Sequence, residues 1–481
     1  MTKVAPGVAL RAERHRNRRA VVALAITGML GAACGTGAAT RAGSGPSASH
    51  QQPGSTRAGS GPSASHQQPA STAGCNSVTT CDGPQQIEAA YGIVPLLHRG
   101  IDGRGQTVVL PELAEPEFPL PTSDIRQDLV QFDKLFGLPA AKLQVNASLA
   151  PSASPWLANG EEVLDAEMVH AVAPGATISL VMVAANSLDD PASGVRAAVA
   201  AIGLGSSVGD VISISAAGQT GGEHCDTPGE VTALHAALQA AAQHHVTVVA
   251  ASGDVGAVGE PCHLVSGLTG GPFPPVKEVN LPAADPLVLG AGGTTLTASH
   301  KTGAYVSESA WDLPYGDPDS QFQGSGGGFS RQLSRPAYQD GVPGIGSHRG
   351  VPDVAADAAP HTGFPVVTAT GAGNYTISGH GGTSASAPLL AGLVALADQY
   401  AGRPLGFVNA GIYRVAESSK YHAAFHDITT GHNTVAFPPT TINGYATSRG
   451  WDAVTGWGSP DASVLVPVLT RDVHDGDANG L

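Results

Sequence analysis

From about residue 82 to residue 470 the sequence alternates two textures, and this alternation limits the available folds more than any other feature. Short apolar runs rich in β-branched residues (Thr107-Val108-Val109-Leu110, then 178–183, 211–215 and 246–250) are separated by stretches of helical periodicity at 123–136, 161–172, 195–202 and 231–244. Strands separated by a helix do not pair as tight hairpins; they return in the same direction through a crossover. The expectation is an α/β fold with a doubly wound, mostly parallel sheet, helices on both faces, and ligands gathered at the carboxyl ends of the strands. No linker breaks the pattern, so 82–470 reads as one large domain followed by a tail at 471–481.

Within that domain, Gly381-Gly382-Thr383-Ser384-Ala385-Ser386-Ala387-Pro388 runs directly into the apolar residues 389–396. Glycines permit a tight turn and a close approach by another main chain, and a helix that begins at the serine aims free N–H groups at developing negative charge. Ser384 is therefore a candidate nucleophile. The competing reading of these residues is a Ser/Thr N-cap on a core helix. Ala385, Ala387, Ala391 and Gly392 keep the helix thin enough to pass through the middle of a domain.

The segment Asn159-Gly160-Glu161-Glu162-Val163-Leu164-Asp165 supplies a second cluster. On a helix, Glu161 and Asp165 are about 40° apart in projection and can share a face, and Glu162 with Asp165 is also geometrically possible. Two carboxylates held that close raise one pKa and form a proton acceptor and donor suited to acid conditions. The alternative is a solvated acidic face. A third acid, Asp254, follows the strand at 246–250 in the turn Ser252-Gly253-Asp254-Val255-Gly256, where it is either a functional group at a strand end or an Asx-turn residue.

Charge and the N-terminus bear on location and partners. Residues 1–74 hold eight Lys and Arg against the single acid Glu13, leaving 16 basic and 38 acidic residues in the rest. A surface that acidic argues against nucleic acid and anionic membranes as partners, and it loses self-repulsion in acid. Residues 1–34 read as an export signal: Arg11, Arg14, Arg16, Arg18 and Arg19 precede an apolar run at 20–30 that ends at Gly31-Ala32-Ala33-Cys34. This resembles a bacterial lipoprotein signal, with cleavage near Ala33 or a twin-arginine route through Arg18-Arg19 as alternatives. A lipid on Cys34 is the one membrane attachment expected, since nothing later is long and apolar enough to span a bilayer. Residues 35–81 read as a disordered tether, in which the segment from Thr40 to Pro53 recurs from Thr56 to Pro69. The four remaining cysteines suit an exported chain, with Cys75–Cys81 and Cys225–Cys262 favoured as disulfides by proximity in sequence.

The motifs taken together resemble the sedolisin family of serine-carboxyl peptidases (peptidase family S53). The likeness runs through Gly103-Arg104-Gly105-Gln106 into Glu112, the Glu161…Asp165 helix with Ala173-Pro174-Gly175-Ala176, Ala251-Ser252-Gly253-Asp254, Leu281-Pro282-Ala283-Ala284 and Gly292-Gly293-Thr294. It continues through Gly326-Gly327-Gly328-Phe329-Ser330, Arg349-Gly350-Val351-Pro352-Asp353-Val354-Ala355, Gly382-Thr383-Ser384 and Gly456-Trp457-Gly458-Ser459-Pro460. The resemblance implies a subtilisin-like fold and a serine-type endopeptidase acting on protein or peptide substrates at acidic pH. Ser384 is then the nucleophile, Glu161 the base, Asp165 the acid that orients it, Asp254 the oxyanion-hole acid, and Glu112 an extension of the network. It also implies one structural Ca2+ in a C-terminal loop region, held by the carboxylates of Asp427 and Asp452 and the main-chain carbonyls of Ile428, Ser448 and Gly450, an all-oxygen shell suited to a hard cation.

Two features depart from the family. Ala216 follows Ser213-Ile214-Ser215 where some members carry a tryptophan that links the Glu112-type acid to the catalytic glutamate, and a tether rather than a long folding propeptide follows the signal. The expected protein is a monomer, secreted or anchored at the cell surface. Two alternatives stand beside it. A subtilisin-type Ser-His-Asp peptidase shares the Gly-Thr-Ser-x-x-x-Pro pattern, but His170 lies about 140° and 180° around the helix from Asp165 and Glu161, and His380 reads as a loop residue. A catalytically weak, tethered homologue that binds peptides is the other.

Overall fold

The computed structural model describes residues 82–114, 123–149, 156–158, 160–184, 211–215, 221–260, 276–314, 324–371, 373–437, 439–474 and 477. The signal and tether, the helix expected at 195–202, Ala216, and Cys75, Cys81 and Cys262 lie outside them.

The sheet contains β1 (Thr107–Ala114), β2 (Lys142–Leu149), β3 (Thr177–Ala184), β4 (Val211–Ile214), β5 (Thr247–Ala251), β6 (Leu289–Ala298), β7 (Tyr305–Ala310) and β8 (Val354–Asp357). Its order is β8-β6-β5-β4-β1-β3-β2, parallel throughout, with β7 added antiparallel to β6. From β1 the chain goes to the edge strand β2, returns to place β3 between them, and then restarts at β4 on the other side of β1. That reversal makes the β1/β4 boundary the switch point where such sheets form a crevice at their carboxyl ends. Register shows the opening: β1 pairs with β3 along its whole length, but with β4 only at Val108 and Val109. Beyond Val109, β1 carries Glu112 past the last rung it shares with β4.

Both faces are covered, as the alternation predicts. Helix α1 (Ile125–Phe136), α2 (Gly160–Val172), α4 (Thr383–Ala401) and α5 (Ala462–Asp472) share one hydrophobic core, while α3 (Pro228–Gln243) covers a second core on the opposite face. Residues 123–124 leave the expected first helix and bridge residues 157–158 instead, because Asp124 caps α1 by accepting from the Arg126 N–H. The folded layer also runs past residue 470: α5 ends at Asp472, Val473 is buried, and the Arg414 guanidinium bonds the Asp472 carbonyl and pairs with Asp477 at 2.6 Å.

Helix α4 is the axis of the larger core. Every residue from Thr383 to Asp398 is buried, which is why its sequence is apolar all round instead of on one stripe. It lies across β4, β5, β6 and β8 and against α2. Leu389, Leu390, Leu393, Val394 and Leu396 are each at most 4% exposed, and burial of each is worth about 1.5–3 kcal/mol. The approach to α2 is set by Gly392, where an added Cβ would stand 2.8 Å from Val172 Cγ1 and 2.9 Å from its Cβ.

The hairpin of β9 (Phe364–Gly371) and β10 (Asn374–His380) delivers the chain to α4. Its outer edge is closed by carboxyls instead of another strand: Val367 N–H donates to Glu167 at 2.9 Å and Ala369 N–H to Asp128 at 2.6 Å. Gly392→Ala should therefore force α2 and α4 apart and destabilise the protein by about 1–3 kcal/mol. Urea unfolding at acidic pH reads that change as a lowered midpoint with an unchanged slope, and an unaltered midpoint would contradict the proposed packing.

Candidate active site

Ser384 sits in the first turn of α4, with Gly382 as N-cap at φ 90° and no side-chain cap bond. The N-cap reading of the serine is thus incorrect: the capping position needs a left-handed conformation that glycine alone adopts cheaply. The cap is supplied from elsewhere. Asp254, just beyond β5, accepts from the Thr383 N–H at 2.7 Å and from Thr383 Oγ1 at 2.8 Å. Glycine is required here for a second reason, since a Cβ on Gly382 would stand 2.7 Å from Asp254 Oδ2. Asp254 is therefore tied to the helix that carries Ser384, and not to its own turn as an Asx residue would be.

Helix α2 supplies the opposite wall. Glu162 and Asp165 are 3% and 0% exposed, so the reading of a solvated acidic face fails; Glu161, at the helix start, is only half-buried. Glu161 is hydrogen-bonded to Ser384. Asp165, one turn further on, accepts from Ser215 Oγ at 2.6 Å and is also hydrogen-bonded to Glu112 at the end of β1. Ser384 Oγ also lies 3.4 Å from the Ser215 main-chain carbonyl, a longer alternative acceptor for the one hydroxyl proton. Ser384 and the four acids proposed from the sequence, Glu112, Glu161, Asp165 and Asp254, are thus brought together by four segments: the end of β1, the start of α2, the turn after β5 and the start of α4.

The electrostatics of this cluster have one dominant cause. Burial raises Glu161 to about 7, opposed by its hydrogen bond with Ser384 and reinforced by the negative charge of Asp254. Burial likewise raises Asp165 and Glu112 well above the usual carboxylate range; the charge of Glu161 adds to the shift of Asp165, whose bonds from Ser215 and Glu112 oppose it, and the charge of Asp165 adds to that of Glu112. Asp254 is also raised by burial, although the two bonds from Thr383 favour its ionised form. A hydrogen bond between two carboxyls needs one proton, so Glu112 and Asp165 share at least one while the contact lasts.

Three participants were not legible as such. Glu260 is 5% exposed, accepts from the Asp254 N–H at 2.9 Å, and is raised to about 8 by burial and by Asp254; nothing in its sequence neighbourhood marks it. Thr383 reads as motif filler until its hydroxyl is seen on Asp254. Ser215 was visible only as part of a strand. The histidines stand elsewhere: His170 is fully buried, and its Nε2 bonds the Pro139 carbonyl at 2.9 Å and lies 2.9 Å from Asp133 Oδ1. His380 ends β10 instead of lying in a loop, its Nε2 is 2.9 Å from Ser378 Oγ, and burial lowers it to about 4.

The proposed calcium ligands converge from two segments. Asp427 Oδ1 accepts from the Gly450 N–H at 3.1 Å, and Asp452 Oδ2 from the Ser448 N–H at 3.0 Å. Among the described residues no group of three His, Cys, Asp or Glu is placed to hold a metal. Two carboxylates on neighbouring segments are of the oxygen-donor type that suits a hard cation, although in this structure they accept from the N–H groups of Ser448, Gly450, Val454 and Thr455 and from the hydroxyls of Tyr421 and Thr455. Each expected disulfide includes a cysteine outside the described residues, and no described helix is long and apolar enough to cross a membrane.

The chain is similar to known proteins along most of its described length. Residues 152–415 match the subtilase family. Kumamolisin of Bacillus sp. (strain MN-32) is 35% identical over 382 residues, covering 77% of this chain and 61% of that protein. Sedolisin of Pseudomonas sp. (strain 101) is 30% identical over 349 residues, covering 71% and 55%. The chain therefore spans less than two-thirds of the length of these relatives. The solved structure of Pseudomonas sedolisin, a serine-carboxyl proteinase complexed with two molecules of pseudo-iodotyrostatin, superposes with a TM-score of 0.64 at 26% identity, covering 82% of this chain and all of that one.

The raised carboxyls fix the sign of the pH dependence of stability. Unfolded glutamates titrate near 4.5, whereas Glu161 and Glu260 titrate at about 7 and about 8 in the fold. Between those limits the native state binds more protons than the unfolded state, so the stabilisation is complete below about 4.5 and is lost as pH rises through 7 to 8. Thermal unfolding of the Ser384→Ala protein should show a Tm that falls across this window, with a shallower fall in Glu260→Gln. A Tm that rises from pH 5 to 8 would contradict the burial of these groups.

Proposed function

Because the chain belongs to the subtilase family and, within it, to the sedolisin-type serine-carboxyl peptidases, we propose that it is an exported serine-type endopeptidase that hydrolyses peptide bonds at acidic pH. The observation that carries this reading is the convergence of Ser384, Glu161 and Asp165 with Asp254 on the other side of the serine, at the carboxyl edge of the sheet. In this reading the ionised form of Glu161, a minority in acid because burial raises the group to about 7, takes the proton of Ser384 Oγ as that oxygen attacks the scissile carbonyl carbon. Asp165 orients Glu161, and Glu112 extends the network behind the pair. The tetrahedral oxyanion accepts a hydrogen bond from protonated Asp254, which burial favours over the carboxylate. Glu161 then returns the proton to the leaving amine, and a water activated by the same carboxylate releases the acyl group from Ser384.

Acid dependence follows from the proton on Asp254. A neutral carboxyl donates to an oxyanion; an ionised one repels it. A histidine base is not favoured, since His170 is committed to Asp133 and His380 to Ser378. Asp427 and Asp452, with the carbonyls of Ile428, Ser448 and Gly450, would hold one Ca2+, whose chemistry is to neutralise the two carboxylates and tie their segments together. A monomer carrying the signal at 1–34, an optional lipid on Cys34, and the disulfides Cys75–Cys81 and Cys225–Cys262 complete the proposal for a protein at or beyond the cell surface.

Hydrolysis of a protein substrate between pH 3 and 5 should fall on the order of 10⁴-fold or more in Ser384→Ala and about 10²–10³-fold in Asp254→Asn. An optimum at neutral pH that survives Glu161→Ala would overturn the mechanism, and peptide binding without turnover at any pH would make the protein a binding module. Chelation should lower the Tm, added Ca2+ should restore it, and Asp452→Ala should remove both responses; a Tm indifferent to chelator would reject the ion.

A further inference from the structure

Ser215 occupies a place that the proposed mechanism leaves unused. It directly follows β4, where side chains alternate between faces. Ile214 belongs to the core under α3, so Ser213 and Ser215 face the opposite side, toward α2 and α4. Ser215 is 6% exposed. Its hydroxyl lies 2.6 Å from Asp165 Oδ2 and 3.2 Å from the Ser384 main-chain carbonyl, while its own carbonyl lies 3.4 Å from Ser384 Oγ. A hydroxyl has one proton. The shorter contact is to the carboxyl, where a charge-assisted bond is the stronger of the two, so the proton goes to Asp165.

We infer that Ser215 is a positioning residue for the acid pair, its hydroxyl fixing Asp165 and its main chain fixing the nucleophile, so that a single residue sets the two in register. The inference rests on the peptidase reading given above. It follows from the position of Ser215 at the crevice: directly after β4, it touches both the orienting acid on α2 and the serine in the first turn of α4. The charged groups that face Asp165 are Glu161 and Glu162 on its own helix and Glu112 from β1, with Asp254 acting on Glu161 from the turn after β5. All are carboxyls. Against that field a donated hydrogen bond selects which acid holds the negative charge, and Ser215 directs it to Asp165.

The test compares Ser215→Thr, which keeps a hydroxyl, with Ser215→Val, which is nearly isosteric and lacks it, alongside Ser215→Ala. Full pH profiles of kcat and kcat/KM are measured on a protein substrate, with thermal unfolding as the control for folding. Loss of the donor weakens the ionised form of Asp165, so the acid limb should move to higher pH by about one unit. In Ser215→Val and Ser215→Ala, kcat should fall roughly 10-fold with little change in KM, and Ser215→Thr should keep the wild-type limb. Profiles that coincide with wild type in Ser215→Ala, or Thr and Val variants that behave alike, overturn the positioning role while leaving the peptidase reading intact. A wild-type protein with no Ser384-dependent hydrolysis overturns both.

Discussion

A carboxylate removed from water costs several kcal/mol unless a cation or hydrogen-bond donors replace its hydration, and a second carboxylate beside it raises the cost further. At the carboxyl edge of this sheet Glu112, Glu162 and Asp165 are buried against one another, with Glu161, Asp254 and Glu260 close by. Asp165, Asp254, Glu260 and Glu112 are met by hydroxyls, main-chain N–H groups and one another. Such a cluster is stable when protons stay on part of it, so the rest of the site depends on proton sharing. The same burial that makes proton sharing necessary favours the neutral form of Asp254 on which the proposed oxyanion bond relies.

The scaffold meets that condition through close approach. Small residues let α4 run through the core, Gly392 brings it against Val172 of α2, and Gly382 lets Asp254 reach the first N–H of α4. Carboxyls also support the second layer, where Glu167 and Asp128 close the edge of the hairpin that leads into Ser384. Acid groups thus hold both the reacting residues and the segment that presents them, which couples the stability of the fold to the protonation of the site.

A histidine-based serine site places its base on the corresponding helix with a single buried acid behind it. Here the helix offers Glu161 and Asp165 on one face, while His170 turns to Asp133 on the other. The difference is one of helical phase, and it decides between two chemistries within one fold.

Much of this protein was decided by local sequence. The alternation of β-branched runs with helical stretches sets the parallel sheet, because crossovers of that length leave few other pairings, and the four-residue spacing of Glu161 and Asp165 sets their shared face by helix geometry alone. Ser384 could be picked out from its glycines, yet its neighbours left an N-cap equally available, and only the positive φ of Gly382 and the bonds to Asp254 removed it. Glu260, Thr383 and the hydroxyl of Ser215 carried no local signal, since each acts on a group far away in the chain, and His380 acquired its strand only through pairing with Phe364. The sequence by itself determined the elements and the acids they carry. Tertiary packing decided which acids meet and how far burial moves their protons, because desolvation depends on what covers a group and not on what precedes it in the chain.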